Sequence, residues 1–216
     1  GAIGAALHLW HTVDGGVRDV DGVRDGMSGC ALGPRFDDDE IRAYLDEQRV
    51  EYEDLGDDDT RADRVARLLA DGDIVAFFSG RAEFGPRALG RRSILADPRV
   101  PPIQQRLNDH TKRREAFRPF APAVLSDRAA DWFDLDVEAP YMTFVAPVRG
   151  VEPGPVDLST LAEGCAPPPL GPLPAVTHVD GTARIQTVEH DTNPTFPSVL
   201  TAFERLTGCP VLLNTS

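Results

Sequence analysis

An uninterrupted apolar run at residues 74–78 is the feature that most limits the possible folds of this 216-residue chain. The run reads Ile-Val-Ala-Phe-Phe and lies between a capped helix pattern and a loop in which glycine recurs. Runs of this length without polar residues are typical of strands buried on both faces, which occur in sheets that helices cover. We therefore predict an interior strand at residues 74–78 and helices packed against its sheet.

Helix and strand patterns alternate along the rest of the chain. Acidic residues begin the helix predicted at residues 37–47 and the helix that ends at Gly72, where they complement the helix dipole. Additional helices are predicted at residues 1–11, 101–108, 126–133 and 195–207. Additional strands are predicted at residues 93–96, 120–125, 141–148, 175–179, 182–188 and 211–213. Asp180-Gly181 predicts a hairpin between the fourth and fifth of these strands, and the whole pattern predicts a mixed α/β sheet with flanking helices.

Three segments carry weaker signals. Nothing precedes the helix pattern at residues 1–11, so we expect this chain to be cut from a longer one. Residues 19–25 faintly resemble a calcium-binding loop, but they lack its central glycine and final glutamate, so a polar turn is the default interpretation. Residues 150–174 contain seven prolines and predict a long surface loop.

The formal net charge of −13 limits the classes of partner. An acidic surface repels DNA and anionic membranes, so we expect neither as a partner. The sequence contains no run of eighteen apolar residues and no basic segment before an apolar stretch, so we predict no membrane span and no signal peptide. Cys30, Cys165 and Cys209 are odd in number and far apart, which favours free thiols in a reducing, cytoplasmic compartment over disulfides or a metal site.

Positive charge is concentrated between residues 81 and 118. Ten cations and four acids give this window a charge of +6, which leaves −19 on the remaining residues. The cations lie in turns rich in glycine and proline rather than at the spacing of a helix surface. Arginine forks donate two parallel hydrogen bonds to phosphate or carboxylate oxygens. The window therefore favours an anionic small ligand over an ordinary solvated surface.

Four segments within and beyond this window carry the candidate site residues. The loop at 79–90 follows a predicted strand, where α/β sheets place ligand loops, and its glycines allow backbone amides to approach an anion. Lys112 is the chain's only lysine, and its compact ammonium can act where a guanidinium cannot. The candidate binding residues are Gly85, Arg87, Lys112, Arg118, Arg184, Asn214, Thr215 and Ser216.

Segments 84–94, 112–122, 181–188 and 213–216 resemble, in the same order, the C-terminal region of NodU/CmcH-type O-carbamoyltransferases. The resemblance implies a division of the chain into three parts. Residues 1–33 are similar to the tail of an actin-like carbamoyltransferase domain, and residues 34–60 resemble a linker helix with an acidic connection. Residues 61–216 resemble a YrdC-like domain that is incomplete at its C-terminus.

The resemblance also implies an activity. In that family, carbamoyl phosphate is activated with ATP and Mg²⁺ to carbamoyl-adenylate, and the actin-like domain passes the carbamoyl group to a hydroxyl of a small acceptor. Lys112, Arg118 and Ser216 match three members of the family's anion-binding tetrad, so the resemblance implies that they are the catalytic residues. The fourth member, an asparagine, would follow Ser216 by two positions. Arg87 and Arg184 match its phosphate-facing arginines. No carboxylate cluster identifies Mg²⁺ ligands, and the family's metal and acceptor sites would lie in the actin-like domain.

Three other interpretations remain open at the level of sequence. The first is a YrdC-like domain acting in tRNA threonylcarbamoylation, against which the −19 outside the cationic window argues. The second is carbamoylation in hydrogenase maturation, for which the zinc-type cysteine pairs are absent from the sequence. The third is a non-catalytic module that binds a nucleotide and performs no chemistry on carbamoyl phosphate.

Overall fold

The computed structural model describes residues 1–18, 26–152, 159, 170–191 and 195–216. Within them, six strands form one mixed sheet. The strands are β1 Val75–Phe78, β2 Arg92–Ala96, β3 Ala121–Leu125, β4 Phe144–Pro147, β5 Thr182–Val188 and β6 Val211–Thr215. Their order across the sheet is β1-β2-β6-β3-β5-β4, in which β3 and β5 run parallel and all other neighbours run antiparallel. β6, the last of these six strands in sequence order, therefore lies in the middle of the sheet.

Helices flank this sheet, so the predicted α/β architecture is confirmed. The α-helices of the described residues are α1 Ala2–His8, α2 Asp38–Glu47, α3 Asp58–Ala70, α4 Pro102–Arg106, α5 Ala129–Trp132 and α6 Thr195–Thr207, of which α3 and α6 contact the strands most. A π-helical turn, Leu107–Lys112, continues α4 without a break and ends at the chain's single lysine. No helix in the described ranges is both long and apolar enough to cross a membrane.

Local capping explains where the acidic helices begin. Asp37 accepts a hydrogen bond from the backbone N–H of Glu40 at 2.9 Å, and the Glu40 carboxylate accepts one from the backbone N–H of Asp37 at 3.0 Å. Asp57 caps α3 in the same way, through the N–H of Thr60 at 2.8 Å. Each cap satisfies helix N–H groups that lack an intrahelical partner. The helix starts predicted from sequence are therefore confirmed.

The core lies where α3 and α6 pack against each other and α6 packs on the sheet. Leu69 of α3 and Phe203 of α6 are fully buried there. Phe196 at the start of α6 places its ring centroid 6.0 Å from that of Phe77 on β1. This contact ties the helix pair to the edge of the sheet, next to the loop at residues 79–91 between β1 and β2, which we call the glycine loop.

Two sequence predictions about strands were wrong. The run at 74–78 is not an interior strand, because β1 pairs with β2 alone and leaves Phe78 51% exposed. Residues 175–179 form a buried turn rather than a hairpin strand, in which the Gly181 N–H donates to the His178 carbonyl at 3.0 Å. The reason is that β5 already has β3 on one side and β4 on the other, so neither of its edges is available.

Two further sequence features fall wholly or mostly on residues that the structure does not describe. The calcium-like segment at 19–25 is not among the described residues, and neither is most of the proline-rich stretch, namely 153–158 and 160–169. The interpretations of these segments therefore stay predictions.

Candidate functional site

A cleft of about 140 Å³ opens where β6 ends, beside the loop between β1 and β2 and the segment after α4. Its charged and polar lining consists of Arg87, Lys112, Arg114, Arg184, Asn214 and Ser216, with Thr215 beside them. The structure thus brings together six of the eight candidate residues: Arg87, Lys112, Arg184, Asn214, Thr215 and Ser216. The other two candidates, Gly85 and Arg118, do not line the cleft as the structure describes it. Arg114 does line it, although it was not a candidate.

Strand register builds the floor of the cleft. Asn214 on β6 lies opposite Ala121 of β3, and Gln186 on β5 lies opposite Ala123 on the other side of β3. The small alanines leave room above β3, so the Asn214 amide reaches across and donates to Gln186 Oε1 at 2.7 Å. Because side chains two residues apart share a face, Arg184 lies on the same face as Gln186. The sheet therefore presents polar groups to the cleft at its centre.

These amides also hold the glycine loop onto the sheet. Asn214 Nδ2 donates to the carbonyl of Ala88 at 3.0 Å, and Gln186 Nε2 donates to the carbonyl of Leu89 at 3.0 Å. Both amides are buried, so the hydrogen bonds are shielded from water. Arg87 immediately precedes Ala88 in the chain, so the anchored carbonyls of Ala88 and Leu89 hold Arg87 at the cleft.

Glu83 fixes the other side of the same loop and was not recognised from sequence. Its side chain is fully buried and accepts hydrogen bonds from the backbone N–H groups of Leu89 and Arg91 at 2.8 Å and of Arg92 at 3.0 Å. A carboxylate with several backbone donors replaces the hydration that it loses on burial. The only sequence signal was an acid among arginines in a glycine-rich loop.

Gly90 closes this loop at a point where only glycine fits. Its φ is +94°, and a Cβ built on it would lie 2.1 Å from the ring of Phe196. The left-handed backbone disfavours any side chain, and the contact excludes even a methyl group. The loop therefore depends on packing against α6 as well as on hydrogen bonds.

The segment after α4 presents Lys112. Gln104 and Asn108 donate from their side-chain amides to the backbone carbonyl of Ala116, both at 3.2 Å, and to that of Arg118 at 3.1 and 3.0 Å. These four contacts fold residues 113–118 back onto the helix. Lys112, at the last position of the π-helical turn, consequently lies at the cleft, and its role there stays a prediction.

Arg114 was missed by the sequence analysis. Arg113 adopts a left-handed conformation, φ +47°, which turns the chain so that the next residue enters the cleft. The Arg114 Nε then donates to Asn108 Oδ1 at 2.7 Å, and its guanidinium carbon lies 4.7 Å from the centroid of Phe120. Spacing alone gave no signal for this residue, because several arginines lie close together in this segment.

Arg118 and Gly85 lie away from the cleft lining. The Arg118 guanidinium is half exposed and forms an ion pair with Glu115 at 3.1 Å. Gly85 has a φ of +133° and open space around the position of a Cβ. Their roles in binding, expected from the resemblance, stay predictions.

The electrostatics of the cleft favour an anion. Its cations are Arg87, Lys112, Arg114 and Arg184, and none of them forms an ion pair within the described part of the chain. Burial and the nearby Arg114 lower the pKa of Lys112, and burial, Arg87 and Arg114 lower the pKa of Arg184. Both shifts mean that burial and neighbouring cations disfavour the charged forms of Lys112 and Arg184. A bound anion would compensate them.

The same donor set does not suit a metal ion held by the protein. Across the described residues, no cluster of three or more histidine, cysteine, aspartate or glutamate side chains is arranged to hold one. The cleft lining contains hydrogen-bond donors and cations where Mg²⁺ requires oxygen ligands.

Several known proteins are similar to this chain over 70% or more of its length. Residues 66–216 match the family model described as the carbamoyltransferase C-terminus. An uncharacterised protein of Synechocystis is 47% identical over 223 residues, which cover 100% of this chain and 36% of that protein. Nodulation protein NolNO of Sinorhizobium fredii is 46% identical over 161 residues, 73% of this chain and 21% of its own length. Nodulation protein U of Bradyrhizobium diazoefficiens is 43% identical over 152 residues, 70% of this chain and 24% of its own.

The chain therefore belongs to the carbamoyltransferase family, and the matched region is the C-terminal part of that family. It spans about a third or less of the length of these curated relatives. The four cations, Asn214 and Ser216 all lie within the matched region.

Proposed function

We propose that the cleft binds carbamoyl phosphate and the phosphates of ATP and joins the carbamoyl group to the nucleotide as carbamoyl-adenylate. The observation that carries this proposal is the cluster of Arg87, Lys112, Arg114 and Arg184 without a carboxylate in the lining, in a chain of the carbamoyltransferase family. The carbamoyl group would then move to a hydroxyl of a small molecule. That last step, and the choice of acceptor, are assigned to the remainder of a longer protein.

The reaction assigned to the cleft conserves atoms as follows. Water releases phosphate from carbamoyl phosphate and leaves carbamate. A carbamate oxygen then forms a bond to the α-phosphorus of ATP, while the bond from that phosphorus to the bridging oxygen breaks and pyrophosphate leaves. Carbamate and triphosphate are both anions, so their approach is opposed by charge repulsion that the protein has to offset.

The cleft residues are suited to offset that repulsion. A cation about 4 Å from an oxyanion contributes on the order of 4 kcal/mol at an effective dielectric constant of about 20. We assign Lys112 to the point where carbamate and α-phosphate oxygens meet, because its ammonium is compact. Arg87, Arg114 and Arg184 are assigned to the phosphates, where planar forks donate paired hydrogen bonds. The Ser216 hydroxyl supplies a further donor.

Magnesium would reach the cleft with the nucleotide rather than as a resident ion. The described residues offer no cluster of carboxylates for it, whereas a triphosphate supplies the oxygens that Mg²⁺ prefers. When bound, Mg²⁺ would reduce the negative charge of the triphosphate. The chain's own residues would bind and orient the two substrates.

The proposal is tested by pyrophosphate exchange on the full-length protein. ATP is incubated with radiolabelled pyrophosphate, and label entering ATP is measured with and without carbamoyl phosphate. We expect exchange only when carbamoyl phosphate is present, and none when acetyl phosphate replaces it. Binding of ATP without any exchange would contradict the proposal and favour a nucleotide-binding module.

A further inference from the structure

We propose that Asn108 is a positioning residue, which directs the Arg114 guanidinium into the cleft with an acceptor that carries no charge. This inference rests on the proposed function, because it concerns the same anion-binding cleft. Asn108 itself is absent from the cleft lining and is fully buried beneath the segment that follows Lys112.

Three contacts fix Arg114. Its Nε donates to Asn108 Oδ1 at 2.7 Å, and its backbone N–H donates to the Asn108 carbonyl at 3.1 Å. The ring of Phe120 lies under the guanidinium, 4.7 Å from centroid to carbon, within the range of a cation–π contact. Asn108 therefore uses the Nε of Arg114 and leaves its two terminal nitrogens to face a ligand.

The amide of Asn108 can adopt only one orientation. Its Nδ2 donates to the carbonyls of Ala116 and Arg118 at 3.2 and 3.0 Å. Rotating the amide by half a turn would oppose its oxygen to those carbonyls and its NH₂ to the Arg114 Nε–H. The segment that contains Arg114 thus also holds the Asn108 oxygen toward the Arg114 side chain.

An uncharged acceptor distinguishes Arg114 from arginines outside the cleft. Arg118 pairs with the carboxylate of Glu115 at 3.1 Å, and Arg99 pairs with that of Asp97 at 2.7 Å. A carboxylate at position 108 would accept from Arg114 but would neutralise its charge, and its second oxygen would oppose the carbonyls of Ala116 and Arg118. The asparagine orients the guanidinium of Arg114 and leaves the positive charge of that guanidinium available to a ligand.

Gln104 provides a matched control. Its amide donates to the same two carbonyls as Asn108, at 3.2 and 3.1 Å, and is likewise buried. It makes no hydrogen bond to Arg114. Replacing Gln104 therefore removes support of the loop alone, whereas replacing Asn108 removes both the support and the orienting contact.

The experiment measures pyrophosphate binding by calorimetry on the full-length protein. We expect Asn108→Leu to weaken binding about tenfold and Gln104→Leu to weaken it about twofold or less, with comparable losses of thermal stability. Asn108→Asp keeps an acceptor for Arg114, adds a negative charge and removes the NH₂ donor to the two carbonyls. We expect it to weaken pyrophosphate binding, with the largest effect at low salt, where the added charge is least screened. In an Arg114→Ala background, Asn108→Leu should weaken binding no more than Gln104→Leu does.

Two results would overturn the inference. One is equal weakening by Asn108→Leu and Gln104→Leu, which would mean that both only support the loop. The other is an undiminished effect of Asn108→Leu in the absence of the Arg114 side chain. Because pyrophosphate binding is measured without carbamoyl phosphate, loss of carbamoyl-dependent exchange alone would contradict the proposed reaction and leave the role of Asn108 intact.

Discussion

Replacing Gly90 with alanine tests how tightly the glycine loop is held against the core. The φ of +94° costs an alanine about 1–2 kcal/mol, by analogy with left-handed backbone in general. The new Cβ would also lie 2.1 Å from the ring of Phe196, which is fully buried and cannot swing into solvent. Overpacking of this kind costs about 1–3 kcal/mol, so we expect a total loss of about 2–5 kcal/mol.

Gly72 is the matched control for this substitution. Its φ of +89° is nearly the same, but the position of its Cβ is open, with nothing within 4 Å. Gly72→Ala should therefore lose only the backbone contribution, about 1–2 kcal/mol. Urea unfolding of the two variants and the unaltered protein gives both free energies, and their difference isolates the contact with the ring.

The reasoning would be refuted if Gly90→Ala were no more destabilising than Gly72→Ala. A second measurement examines the contact directly, by repeating Gly90→Ala in a Phe196→Leu background. A smaller side chain at 196 should reduce the cost of the alanine, since the two positions are in direct contact. If Gly90→Ala lowered the free energy of unfolding equally with Phe and with Leu at position 196, the loop would move away from α6 with little resistance.

Three further predictions concern individual side chains. Lys112→Ala should lower carbamoyl-dependent pyrophosphate exchange by about 10²- to 10³-fold. Arg113, a neighbouring cation outside the cleft lining, provides the control, and Arg113→Ala should change the exchange rate little. Similar rates for both variants would contradict the role of the ammonium. Arg114→Ala should weaken pyrophosphate binding, measured by calorimetry, more than Arg118→Ala does, and the reverse order would favour the residue expected from the family resemblance. Burial raises the pKa of Cys209 to about 11, so at pH 8 its thiol should resist iodoacetamide in the folded protein and react after unfolding, as measured by mass spectrometry; rapid labelling of the folded protein would contradict this burial.

The parts of the fold that could be predicted from sequence depend on neighbours along the chain. Asp37 and Asp57 cap helices through groups three residues away, and such contacts are visible in a short stretch of sequence. The edge position of β1 is different, because it depends on which strands lie beside it. An apolar run indicates a strand but not the number of its partners, so Phe78 was wrongly expected to be buried.

The candidate site divides in a similar way. Lys112 could be found from composition, since it is the only ammonium side chain in a chain that otherwise uses arginine. Arg114 and Arg118 could not be ranked from sequence. The direction of Arg114 depends on the left-handed turn at Arg113 and on the hydrogen bond that Arg114 donates to Asn108, six residues earlier, whereas Arg118 pairs with Glu115. Glu83 was missed for the same reason, since its partners are the backbone N–H groups of a folded loop.

The central place of β6 has a consequence for how the cleft comes into being. Without Val211–Thr215, the β1–β2 pair and the group formed by β3, β5 and β4 share no ladder, and each has an unpaired edge. Long-range strand pairing of this kind forms late in folding. During synthesis, the emerging chain would hold two unjoined pieces, and the floor on which Asn214 meets Gln186 would not exist. The ability to capture an anion therefore depends on the pairing of β6, which joins the two groups of strands.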